Sequence, residues 1–104
     1  MITLKPISIK NHQFQGIHVK LPKTNLLMIR NEVGYIMCGA LDVDLLNEKL
    51  SERNIIAGRA VGVRTIEDLL DAPLQKITTA SKQYGWEEGI SGRDALLKIS
   101  KIHM

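Results

Sequence analysis

The chain has 104 residues, enough for one ordinary domain with a core of its own, so neither a disulfide scaffold nor a structural metal is required. Hydrophobic residues make up 44% and charged residues 24%, which argues against wholesale disorder, while aromatics at 4% leave the core to Ile, Leu, Val and Ala. The formal charge of +3 is unevenly placed: residues 1–31 carry Lys5, Lys10, Lys20, Lys23 and Arg30 and no acid. That segment favours an anionic partner, but its lysines are too dispersed and too poor in interleaved aromatics for a nucleic-acid surface.

The start of the chain, MITLKPISIKNHQ, has neither a continuous apolar run nor a small-residue cleavage site, and no segment approaches the roughly 20 apolar residues of a membrane helix. A single cysteine, Cys38, cannot form an intrachain disulfide and suits a reducing compartment. The expectation is a cytoplasmic protein that does not enter a membrane.

Residues 2–10 alternate in polarity with a change of register at Pro6, the pattern of an edge strand or a bulge. Asn11–Gln13 reads as a turn, and Phe14 to Leu21 as a second strand with Ile17, Val19 and Leu21 on one face and Gly16, His18 and Lys20 on the other. After a break at Pro22–Asn25, Leu26–Ile29 is a short apolar run of the kind buried on both faces. Asn31 to Gly34 is a hairpin loop, and Tyr35–Cys38 returns as a strand. Asp42 or Asp44 then caps a helix with Val43, Leu46 and Leu50 on its apolar side, ending near Arg53–Asn54.

Ile55 to Val63, IIAGRAVGV, reads as the central strand, its small residues leaving room for close packing. Thr65 caps a short helix with Asp68 at the third position, and Pro73 stops it. Leu74–Thr78 reads as a strand, and residues 79–84 as a helical turn ended by a left-handed Gly85. Glu87 to Ile90 forms a loop, after which Ser91 caps a final helix whose buried stripe is Ala95, Leu96, Ile99 and Ile102. The sum is a single α/β (α+β) domain over 1–104, with a mixed, largely antiparallel sheet and packed helices.

The runs YIMCGALD, AGRAVGVRTIEDLLDAPL and YGWEEGISGRDALLKI, in that order and spacing, resemble the YunC-like family of small bacterial and archaeal proteins over about residues 25–100. The resemblance implies a compact α/β domain and a cytoplasmic homo-oligomer. It supplies no reaction and no catalytic residue.

Three features carry chemistry. Cys38, beside Gly39 and ahead of a helix start, is placed as a nucleophile would be, with His12 or His18 able to approach only through the fold. Its other reading is a small buried hydrophobe. Arg59, between Gly58 and Ala60, and Arg64, before the Thr65 cap, suit bidentate binding of carboxylate or phosphate, or an ion pair with a capping acid. Ser91, Gly92 and Arg93 open a helix from a glycine loop and assemble donors for a small anion, or simply cap. His12, His18 and His103 lack metal-ligand spacing, so no metal is expected, and no cofactor is indicated. Two functions follow: an oligomeric module that binds a small anionic ligand or a protein partner through these arginines and the Ser91–Arg93 loop, or a small enzyme with Cys38 as nucleophile.

Overall fold

The computed structural model describes residues 1–100, and Ile102 of the expected final stripe lies outside them. One sheet of six strands runs in the order β1-β2-β3-β4-β5-β6: β1 Ile2–Ile9, β2 His12–Leu21, β3 Thr24–Arg30, β4 Gly34–Met37, β5 Ile56–Arg59 and β6 Lys76–Ile77. All neighbours pair antiparallel except β4 and β5, which are parallel because α1 (Val43–Glu48) carries the chain back between them. Two further helices follow, α2 (Ile66–Asp71) and α3 (Gly92–Ser100).

The first three strands form a meander closed by two-residue turns. Lys10 and Asn11 both take positive φ, at 48° and 70°, which matches the twist of the flanking strands. At the second turn Pro22 presets the first position and Lys23 takes φ 64° at the next. Both loops are tighter than the sequence suggests, so β2 and β3 extend further toward each other. Pro6 lies on the edge strand, where its missing N–H costs least, and the register runs through it unbroken from Ile2↔Val19 to Ile9↔His12, without a bulge.

Alternation then assigns every side chain to one of two faces. On the helix face, Ile7, Phe14, Leu27, Ile29 and Ile36 join Leu69, Leu74, Trp86, Leu96 and Ile99 in the main core. The opposite face holds two cross-strand rows in register, Ile2–Val19–Leu26 and Leu4–Ile17–Met28–Met37. Leu26 and Met28 are only half-buried, so β3 is covered on one face rather than two.

Capping acts as the local sequence dictates. Asp42, not Asp44, caps α1, accepting from the Leu45 N–H at 3.0 Å. Thr65 and Asp68 form a reciprocal capping box on α2. The Ser91 hydroxyl accepts from the Asp94 N–H at 3.1 Å, and Gly85 closes a 3-10 segment, Thr79–Tyr84, at φ 86°. Two strands are shorter than the sequence suggests. Of residues 55–63 only Ile56–Arg59 is strand, matching the four residues of β4, and of 74–78 only Lys76–Ile77.

Candidate functional site

Cys38 and Arg59 are neighbours in the sheet but not in a site. β4 and β5 run parallel with Met37 beside Arg59, so Arg59 shares Met37's face, and Cys38, the next residue, turns to the other. The cysteine is 6% exposed, and its sulfur accepts from the Leu27 N–H at 3.5 Å and faces the Asn25 carbonyl at 3.8 Å. It sits in the apolar core. His18 lies on the same face two strands away, and its Nε2 shares a hydrogen bond with Asn25 Oδ1 at 2.9 Å rather than with the sulfur.

Arg59 braces the sheet. Its Nη1 donates to the Leu41 carbonyl at 3.2 Å and its Nε to Gln75 Oε1 at 3.1 Å. Those bonds tie the approach to α1 against the start of β6. Beside it the Lys76–Asp44 pair, at 2.9 Å, secures α1 over β5, whose Ala57 is fully buried.

The Ser91–Arg93 segment is a packing joint. The Gly92 N–H donates to the Ala72 carbonyl at 3.0 Å, and a side chain at Gly92 would run into the Leu69 carbonyl and Ile36 Cδ1. Arg93, exposed, pairs with Asp71 at 3.4 Å. Upstream, Gly89 N–H donates to the Leu74 carbonyl and Ile90 N–H to Glu87. The Gly89, Ile90 and Gly92 N–H groups are thus engaged within the chain. Trp86 is an anchor here as well, donating from Nε1 to the Ala95 carbonyl at 2.8 Å while fully packed.

Arg64 is placed differently. Its backbone N–H and that of Thr65 both donate to Asp68 Oδ2, at 3.0 and 3.2 Å, so the helix's own acid takes the backbone anion position. The Arg64 side chain is left to line a cleft of about 220 Å³ between the helix face of β1–β2 and the start of α2. Thr3, Lys5 and His18 line it from the strands, and Thr65 and Glu67 from α2. Lys5 donates to Glu67 at 3.0 Å, and this hydrogen bond, helped by the Glu67 backbone N–H and the lysine's charge, holds the Glu67 carboxyl below its ordinary 4.5.

A larger open groove of about 760 Å³ runs along Asn11–Gln15 and Arg30–Glu32 to Ser100, the last described residue. It is wide and shallow, so the smaller cleft is the better-defined site. No group of three or more His, Cys, Asp or Glu among the described residues is arranged to hold a metal. No helix among them is long and apolar enough to cross a membrane.

Lys5 and His18 are the cleft residues that the sequence does not place together with Arg64. The alternation of β2 already set Gly16, His18 and Lys20 on one face. What was missing was the register that lays Lys5 against Gly16 and Thr3 against His18.

Comparison with known proteins agrees with this architecture. A chain of unknown function from Thermoplasma acidophilum, TA1206, has a crystal structure that superposes with a TM-score of 0.83 at 28% identity, covering 94% of this chain and 92% of that one. The uncharacterized protein YunC of Bacillus subtilis (strain 168) is 60% identical over 101 residues, 97% of this chain and all of that protein. Residues 37–99 match the family model described as Domain of unknown function (DUF1805), a span that includes Arg64 and Glu67 but neither Lys5 nor His18. The chain belongs to the YunC-like DUF1805 family.

Proposed function

We propose that the domain binds a small anion, a phosphate- or carboxylate-bearing metabolite, in the cleft between β1–β2 and α2. One observation carries this reading: Lys5, His18 and Arg64, from three separate elements, converge on one concavity of about 220 Å³. Its single acid, Glu67, is already bonded to Lys5. A guanidinium beside an ammonium is the usual means of holding a phosphate or carboxylate, the first by a planar fork and the second as a point charge. An incoming anion would displace Glu67 from Lys5, an exposed pair that costs little to open. The hydroxyls of Thr3 and Thr65 line the same space and supply neutral donors.

Arg64 is the one arginine retained from the ligand set expected of the sequence, with Arg59 and Arg93 serving as braces. The lone free thiol accords with a cytoplasmic setting.

A thermal-shift screen with inorganic phosphate, nucleoside monophosphates and dicarboxylates tests the proposal. At least one class should raise Tm, and Arg64→Ala or Lys5→Ala should abolish the shift while leaving the unliganded Tm within a degree or two of the parent. Absence of any shift at millimolar ligand, or a shift that survives both substitutions, overturns it.

A further inference from the structure

The cleft between β1–β2 and α2 has two tiers of opposite chemistry. Lys5, Arg64 and the two threonine hydroxyls stand at an exposed rim, with His18 half-buried beside them. Its floor is Gly16 and Ile66, the two lining residues that are buried. Neither has a side-chain donor or acceptor, and the Gly16 backbone is held in the sheet between Lys5 and Ile29. A bare phosphate satisfies the rim and leaves this floor to water. Glycine inside a strand marks a place where something approaches the backbone closely, and here Ile66 does so from α2. A Cβ at Gly16 would stand 3.4 Å from Ile66 Cγ2 and 3.3 Å from Ile7 Cγ1, so the floor has little slack for another methyl.

Resting on the anion-site reading above, we infer that the ligand is a small acid held head outward, its carboxylate at the rim and a short apolar body on the Gly16–Ile66 floor. Size limits that body. At a water's share of about 30 Å³ per heavy atom, the cleft of about 220 Å³ holds roughly seven, which is a carboxylate and about four carbons. A nucleotide far exceeds it. The head has a precedent within the chain, because the Glu67 carboxylate already accepts from Lys5 at 3.0 Å, the bond that a ligand carboxylate takes over. The apolar body supplies what a bare anion lacks, since each methylene moved from water onto the floor should tighten binding about fourfold.

The two floor residues then set the length of the ligand in opposite senses. Gly16→Ala raises the floor by a methyl and favours a shorter acid. Ile66→Val removes a methyl and favours a longer one. A role confined to seating α2 on the sheet would change the stability of both variants without moving the preferred length. The rim residues act on every acid alike, because the head is common to all.

Amide-shift NMR titration of the isotope-labelled chain with straight-chain carboxylates, acetate to heptanoate, tests this. Kd should fall about fourfold per added carbon as far as pentanoate and then level off, with the Gly16 amide among those that move. Arg64→Ala should weaken the whole series. Gly16→Ala should shift the levelling point to a shorter acid and Ile66→Val to a longer one; if Gly16→Ala does not fold, the Ile66→Val shift decides. A Kd that does not change along the series, with phosphate still bound and lost in Arg64→Ala, overturns the inference and leaves the anion site standing. So does a levelling point that Ile66→Val does not move. Failure of phosphate and of every carboxylate to bind overturns both.

Discussion

The β1–β3 meander has two faces with the same alternation and opposite fates. On one, Ile7, Phe14, Leu27 and Ile29 are buried beneath α2 and α3. On the other, Ile2, Leu4, Ile17 and Met28 present comparable apolar surface and receive no helix. The difference teaches that polarity patterning alone does not decide burial in a sheet, because helix length does. Three helices of six, six and nine residues can roof one side of a six-stranded sheet and a corner of the other.

The contrast is broken most severely from the buried side. Gly92→Ala places a methyl against the Leu69 carbonyl and Ile36 Cδ1, where backbone cannot yield, and should cost about 3 kcal/mol or prevent folding. Leu96→Ala empties a fully buried position and should cost about 3 kcal/mol. Urea denaturation would read either as a lower midpoint at unchanged slope. The corresponding truncation on the open face, Leu4→Ala, should change stability by less than about 0.5 kcal/mol, as expected of an exposed side chain. A Leu4→Ala loss as large as that of Leu96→Ala would remove the distinction between the faces.

Two smaller effects sharpen the polar edge of the helix face. Arg64→Ala should cancel ligand-induced stabilisation with little change in unliganded stability, since its side chain is exposed. The Lys5–Glu67 pair gives the smallest effect. Because Glu67 is held below 4.5, folding favours its ionised form. That contribution is complete above the unfolded carboxylate's range and is lost as pH falls through the lowered value. Glu67→Gln should flatten this acid limb slightly, and added salt should do the same to the parent.

How far the sequence reveals all this depends on the range of each interaction. Caps are local, so Thr65 with Asp68, Ser91 and Gly85 act where the residues alone place them, and the structure chooses Asp42 over Asp44. Strand ends depend on the partner. Residues 55–63 read as a long strand, yet the strand stops at Arg59, whose partner Met37 is the last residue of β4. The expected site residues Cys38 and Arg59 do come together, one register step apart, but the pleat turns their side chains to opposite sides. Lys5, His18 and Arg64 lie far apart in the chain, and only the hairpin register and the seat of α2 make them one cleft.

The central claim is that Lys5, His18 and Arg64 line one anion site, and isothermal titration of inorganic phosphate into the parent and into Arg64→Ala reads this directly. The account predicts a saturable heat in the parent that Arg64→Ala abolishes. Equal heats in the two proteins, or no heat in either, would contradict it.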